Sequence, residues 1–390
     1  MRLAVTGTGV VSPLGVGSPA FVEAVKAGRS AIGPLPEPAG VAVGARFDPA
    51  FASGIERKQA FLMDPVTEYA VAAAQEALDM AALTGVDAAR IGAVIGIGVC
   101  GIETIDAAYR ELYAGGGRVD PFAIPRIMPS APASGLSMSL GIRGPAFCAT
   151  SACASASHAI MTGALWLEAG LVDAVVVGGA EAPFAPGLLE AWHAMRVMAD
   201  DTCRPFSLGR RGMVLGEGAG ALVLERLEQA EARDAAVLGY LAGFAANADA
   251  GHIVKPDESS IVSVMRQAIE HAGLRARDVG HVNAHGTGTV LIDTIEGSAI
   301  ARVFGRDAFV SGTKGATGHT LGAAGALEAI VCMHALKDQW IPPTLNGLGH
   351  DPSCGDIEVS PSTTIEASYR AALSNSFAFG GLNAVLVFAR

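Results

Sequence analysis

Apolar residues along this chain follow two rhythms. Short, nearly unbroken apolar runs at 3–8, 93–97, 174–177, 221–224, 282–284, 309–311 and 384–388 read as buried strands. Longer stretches at 64–81, 154–169, 259–272 and 323–337 space their apolar residues as helices do. The two kinds alternate, which predicts an α/β architecture with covered sheets. The charged stretch 225–234 is the best candidate boundary, dividing an N-terminal half, 1–234, from a C-terminal half, 235–390. No close internal repeat is visible. No apolar run is long enough to span a bilayer. The opening Met1-Arg2-Leu3-Ala4-Val5-Thr6-Gly7 reads as a first strand and turn rather than a cleavable signal peptide.

Composition narrows the class. Of 390 residues, 51% are hydrophobic and 17% charged, which excludes a disordered chain and allows a large core. Length alone would suggest two or three domains. The net charge of −11 argues against nucleic acid as the main partner. The six cysteines, at 100, 148, 153, 203, 332 and 354, lack metal-like spacing. Five of them read as small buried hydrophobes, and a reducing cytoplasm is the default location.

The sixth, Cys153, stands in Cys148-Ala149-Thr150-Ser151-Ala152-Cys153-Ala154-Ser155-Ala156-Ser157-His158, just before a helical stretch. A thiol at a helix N-terminus faces unpaired N–H groups and the positive end of the dipole, so a stabilised thiolate is expected. Small neighbours leave room for a thioester. Taken alone, a cysteine among alanines is more often packing. Two histidine segments change that weighting: Val282-Asn283-Ala284-His285-Gly286-Thr287-Gly288-Thr289 and Lys314-Gly315-Ala316-Thr317-Gly318-His319-Thr320-Leu321-Gly322. Each sets a histidine among Gly and Thr, where backbone turns sharply and a ligand can come close.

Together Cys153, His285 and His319 resemble the Cys-His-His set of the β-ketoacyl-acyl carrier protein synthases, in the thiolase superfamily. The resemblance covers essentially the whole chain and is nearest the elongating, type I/II branch. It extends to Val5-Thr6-Gly7-Thr8-Gly9, Cys203-Arg204-Pro205-Phe206, Gly212-Met213-Val214-Leu215-Gly216-Glu217-Gly218 and Ser374-Asn375-Ser376-Phe377-Ala378-Phe379-Gly380-Gly381, in the family's order. It implies a five-layer αβαβα fold of two similar halves, with Cys153 in the first half and both histidines in the second.

The implied reaction is a decarboxylative Claisen condensation of an acyl-enzyme thioester with malonyl-acyl carrier protein. It serves fatty acid elongation or a specialised polyketide or polyene pathway, and the segments around Trp192 and Arg204 look more like nodulation-type or secondary-metabolite relatives. Cys153 would be the nucleophile, and His285 and His319 would donate to the malonyl enolate. Lys314 would act electrostatically, with Glu296 supporting it. The backbone N–H groups of Cys153 and Phe379 would form the oxyanion hole. Thr287 and Thr289 would bond pantetheine amides, while Phe379 gates. Val99, Met128 and Trp192 match acyl-pocket positions, Met128 coming from a dimer partner. Lys58 and Arg196 would contact the carrier.

A structural monovalent cation is implied at Asn283, Ala284, Glu328, Ser374 and Asn375. No cofactor beyond the carrier's own phosphopantetheine is implied. The partner would be an acyl carrier protein, in a homodimer or in a heterodimer with a chain-length factor. Two departures stand out. Ala378 replaces the family's usual glycine, which would restrict the gating loop. Phe61-Leu62 replaces charges near the carrier helix. The alternatives are a non-catalytic, chain-length-setting subunit, opposed by the intact Cys153, His285 and His319, and a thiolase-type acyltransferase. The thiolase would need a second cysteine, which the 376–381 loop lacks.

Overall fold

The computed structural model describes residues 2–35, 40–48, 51 and 53–390. The first half contributes β1 (Leu3–Ser12), β2 (Ile91–Ile97), β3 (Ala146–Ala149), β4 (Ala174–Glu181) and β5 (Gly218–Arg226). The second contributes β6 (Gly239–Ala248), β7 (Val279–Asn283), β8 (Phe309–Ser311), β9 (Ala371–Ala378) and β10 (Leu382–Ala389). The spatial order is β3-β2-β4-β5-β1 in one and β8-β7-β9-β10-β6 in the other. Numbered within its half, each is third-second-fourth-fifth-first. The directions also agree. The third, second and fourth strands run parallel, and the fifth is antiparallel to both the fourth and the first. A repeat that the sequence conceals is therefore plain in the topology. β1 and β6 pair antiparallel, Leu3 opposite Leu241, which joins the halves in one sheet.

Five long helices complete the layers. α1 (Pro65–Ala81) lies on the outer face of β1 and β5, and α3 (Glu258–His271) covers β6 and β10, with α4 (Val290–Phe304) beside it. α2 (Ser155–Glu168) and α5 (Ala324–Asp338) pack on each other and touch strands of both halves, so they form the middle layer. This is a helix–sheet–helix–sheet–helix stack. α1 starts where Asp64 caps it, its side chain accepting the Val66 N–H, with Pro65 in the first turn. Its alanines Ala73, Ala74 and Ala77 are fully buried. They let the helix meet Gly7 and Gly9 of β1 at backbone contact: a Cβ on Gly9 would lie 1.9 Å from the Ala73 carbonyl oxygen.

β3, β6, β9 and α4 are absent from the sequence reading. β9 carries Ser374, Asn375 and Ser376, all fully buried, so its polarity disguised a core strand. β6 is rich in Gly and Ala and only half-buried on alternate residues. Among the described residues, no helix is long and apolar enough to cross a membrane.

Candidate active site

Cys153 sits in a short 3-10 turn, Ala152–Ala154, that leads directly into α2. Its predecessor Ala152 has φ +50°, a left-handed conformation that costs a non-glycine residue strain. The Ser155 hydroxyl braces the turn. It accepts the Ser151 N–H at 2.8 Å and reaches the carbonyls of Ala152 and Ile97. β7 ends at Asn283, and the chain then runs through Ala284 to His285. Glu296, one turn and a half into α4, accepts the N–H of His285 at 2.7 Å and of Gly286 at 2.8 Å. His319 lies in the loop before α5, its N–H bonded to the Val214 carbonyl at 2.6 Å.

The Cys153 sulfur and one ring nitrogen from each of His285 and His319 all lie within 4.8 Å of one another. The two imidazoles meet edge to face, with centroids 5.2 Å apart. Three residues far apart in sequence thus converge where the halves meet. The Leu321 N–H donates to His319 Nδ1 at 3.2 Å, so the neutral ring carries its proton on Nε2. His285 Nδ1 is buried and has no partner. Burial, then the Lys314 charge, holds both rings well below the usual imidazole range, so both are neutral.

Cys153 departs from the sequence expectation of a stabilised thiolate. Burial pushes the thiol up to about 12. The Lys314 charge and the N–H groups of Cys153 and Phe379, which approach the sulfur, pull it down only in part. Those two N–H groups are the ones expected of an oxyanion hole.

Lys314 is 1% exposed and donates from Nζ to the His285 carbonyl at 2.5 Å. Its direct carboxylate partner is Glu328 of α5, while Glu296, expected to support it, feels the Lys314 charge without bonding it. Glu296 instead holds the backbone at His285 and accepts from Asn375 Nδ2 at 3.1 Å. Burial raises Glu296, and the His285 and Gly286 donors oppose it.

The cavity around Cys153 is lined by Trp192, Phe379, Thr287 and Thr289, as anticipated, and also by Met213 and Leu291, which the sequence did not single out. Met213 had a signal in the sequence, since it lies in the glycine-rich Gly212–Gly218 segment. Trp192 and Phe379 face each other at 6.2 Å between centroids. Val99 and Met128 are not in this lining. The Val99 N–H is held by Glu181. Met128 lies 41% exposed in a separate apolar groove with Leu62, Phe122 and Met138. Thr287 and Thr289 bond each other through their hydroxyls at 3.0 Å, and Asp293 accepts the Gly288 N–H at 3.1 Å.

Ala378, expected to restrict the gating loop, lies in the strand rather than in the turn. It ends β9 in register with Leu382 and keeps negative φ. Gly380 and Gly381, at φ +86° and +69°, make the turn. Lys58 and Arg196 are both exposed. Phe61 is 57% exposed, with the Arg126 guanidinium 5.1 Å from its ring centroid. The cysteines also differ from expectation: Cys100 and Cys148 are only half-buried.

The positions implied for a cation lie together. Asn283 and Ser374 are register partners on β7 and β9. Asn283 Oδ1, Asn375 Oδ1 and Glu328 Oε2 are buried without hydrogen-bond partners. Orphaned buried oxygens of this kind suit a hard monovalent cation.

Residues 1–230 match the model "Beta-ketoacyl synthase, N-terminal domain", and 238–347 match "Beta-ketoacyl synthase, C-terminal domain". The chain is 45% identical to "Nodulation protein E" of Rhizobium sp. (strain N33), over 99% of this chain and 98% of that protein. It is 40% identical to "3-oxoacyl-[acyl-carrier-protein] synthase 2" of Staphylococcus aureus (strain N315), over 86% and 84%. The solved structure "The ishigamide ketosynthase/chain length factor" superposes with a TM-score of 0.93 at 32% identity, covering 100% of this chain and 98% of that one.

Proposed function

The chain belongs to the β-ketoacyl synthase family, an acyltransferase of thiolase-like fold, and from that premise we propose how its residues divide the reaction. The observation that carries the proposal is the convergence of Cys153, His285 and His319 within 4.8 Å at one apolar cavity. The Cys153 sulfur attacks the acyl thioester of a carrier protein. The new C–S bond forms as the carrier's C–S bond breaks, and the thiol proton ends on the released phosphopantetheine. The N–H groups of Cys153 and Phe379 receive the carbonyl oxygen as it becomes negative.

Malonyl-carrier then enters. Its carboxylate leaves as CO2, and the electron pair becomes an enolate. The Nε2–H of His319 is a fixed donor for the enolate oxygen, since the other nitrogen already accepts from Leu321. His285 has no such partner on Nδ1, so it is the ring free to exchange a proton. The enolate carbon attacks the acyl-cysteine, and Cys153 leaves as the β-ketoacyl product forms. Lys314 holds the His285 loop through its carbonyl.

The partner is an acyl carrier protein, met at Lys58 and Arg196 and supplying phosphopantetheine on its own arm. Thr287 and Thr289 bond that arm. The enzyme works in the cytoplasm as a dimer of identical chains, with exposed Met128 turned toward the second copy. A chain-length factor is the alternative partner, favoured by the likeness to a ketosynthase/chain length factor. Light scattering of the purified chain, alone and after coexpression with such a factor, separates the two. Asn283, Ala284, Glu328, Ser374 and Asn375 hold a monovalent cation that supplies structural charge. Exchange into a buffer free of Na+ and K+ should lower the melting temperature, and either ion should restore it. An unchanged melting curve removes the cation.

The central test is intact-mass analysis after incubation with acyl-carriers of varied chain length and unsaturation. Wild type should gain one acyl group and Cys153→Ala none. Equal labelling of the two, or labelling of neither, overturns the catalytic assignment. EDTA should leave acylation unchanged. Its abolition would mean that Cys153, His285 and His319 hold a metal instead.

A further inference from the structure

Glu181 closes β4 and is fully buried, yet the steps above leave it without a task. Its Oε2 accepts the N–H of Gly98 and of Gly322, each at 2.8 Å, and Oε1 accepts the N–H of Val99 at 2.8 Å. Gly98 and Val99 follow β2 in the first half of the chain. Gly322 lies in the His319 loop of the second. The segments meet at backbone contact: a Cβ on Gly322 would lie 2.2 Å from the Gly98 nitrogen, and one on Gly98 would lie 2.5 Å from Glu181 Oε2. No side chain fits between them.

The neighbour of Gly322 gives this contact its meaning. Leu321 is held at φ +44°, an unfavourable conformation for leucine, and its N–H is the donor to His319 Nδ1. Strain of that kind persists only where surrounding bonds enforce it. The Gly322–Glu181 bond is the adjacent one. The carboxylate also acts on the nucleophile: its charge raises Cys153, against the pull of Lys314. The charged groups facing the thiol are thus Lys314 and Glu181, with His285 and His319 facing it neutral. Cys100 feels the same carboxylate more weakly than its own burial.

We infer that Glu181 is a positioning residue. Its carboxylate clasps the two halves at Gly98, Val99 and Gly322, fixes Leu321 and so the Nε2–H of His319, and places a negative charge next to Ile97, whose carbonyl accepts from the Ser155 hydroxyl that braces the Cys153 turn. The inference rests on the roles proposed for Cys153 and His319. It assigns them a shared support that neither histidine motif contains.

Two variants separate the charge from the clasp. Glu181→Gln keeps the size, loses the charge and presents an N–H2 where an acceptor stood. Glu181→Asp keeps the charge and shortens the reach. Each is assayed for the rate of Cys153 alkylation by iodoacetamide at fixed pH values from about 7.5 to about 9, the site being located by peptide mass. CO2 release from malonyl-carrier is measured in parallel. With E181Q the alkylation rate at each pH should rise about 10-fold, because losing a nearby anion favours the thiolate. CO2 release should drop at least ~10-fold as His319 loosens. E181D should alkylate like wild type but release CO2 as slowly as E181Q. A wild-type alkylation profile for E181Q overturns the charge, and wild-type CO2 release by E181D overturns the clasp. Should E181Q fail to fold, E181D still decides the clasp. Absence of CO2 release from wild type would count against the ketosynthase roles themselves, leaving alkylation as the judge of Glu181.

Discussion

Lys314 shows how much a single buried charge can organise. It is almost excluded from water, and it donates both to the His285 carbonyl and to Glu328. Removing one member of a buried pair leaves the other uncompensated, which typically costs about 3–5 kcal/mol. Lys314→Met should therefore destabilise the fold by that order in denaturant titration. Lys314→Met with Glu328→Gln should recover more than half of the loss while activity stays low. If the double variant is as unstable as the single, the pair is not the reason. The lysine itself was legible, because it stands a short fixed distance before His319. Its partner was not. Glu296 had a suggestive spacing from His285, but sequence distance does not say which carboxylate crosses from a neighbouring helix. The thiol was misjudged for a similar reason. A helix start is visible in the sequence, whereas the burial that pushes Cys153 up to about 12 belongs to the assembled cavity.

Among the elements, β1 and α1 depend on having almost nothing between them. A Cβ on Gly9 would lie 1.9 Å from the Ala73 carbonyl oxygen, so Gly9→Ala must drive the helix from the sheet. Overpacking commonly costs about 1–3 kcal/mol, and a clash with backbone belongs at the top of that range. Gly33→Ala is the control, since nothing lies within 4 Å of its Cβ position, and it should shift the melting temperature little. Equal effects from the two would mean that α1 yields freely. Strands with continuous apolar runs, such as β4, were legible from their residues alone. β9 was not, because Ser374, Asn375 and Ser376 are polar yet fully buried, with Asn375 bonded to Glu296 and Ser376 to Ser157. The same strand delivers Phe379 to Cys153, so the least strand-like sequence holds one of the most functional strands.

Over the whole molecule, several buried carboxyls titrate late. Burial raises Glu181, Glu217 and Asp293 to about 7 each. Between the ordinary carboxylate range and pH 7 the folded state holds protons that the unfolded chain has released. The stability they contribute is present at low pH and is lost as pH rises through 7. Below about pH 6.5 the buried, neutral His281, His285 and His319 act in the opposite sense, because the unfolded chain gains protons there. Asp351, held at about 2 by Ser353 and Arg210, adds stability that is lost only in strong acid. Stability should therefore be nearly flat between about pH 5 and about pH 6 and fall by about 2 kcal/mol by pH 8, a few degrees of melting temperature. A midpoint that rises over this interval would contradict the assignment.

The repeated winding was the least legible feature at this scale. Two halves share strand order and direction without sharing a visible sequence repeat, because packing constrains residue size and pattern rather than identity.

The place of β1 bears on how the chain is made. It leaves the ribosome long before its partner strands, and all of it is buried in the finished molecule. Yet, apart from a two-residue pairing of its end with Gly15 and Val16, its neighbours are β5, at Gly218–Arg226, and β6, from Gly239. At roughly 5–20 residues per second, synthesis leaves this apolar strand without its partners for about 10–40 s. During that interval it is a sticky free edge, and α1 is the nearest segment able to shelter it. Newborn copies should depend on chaperones early, and slowing translation ahead of β5 should send more of the chain into aggregates.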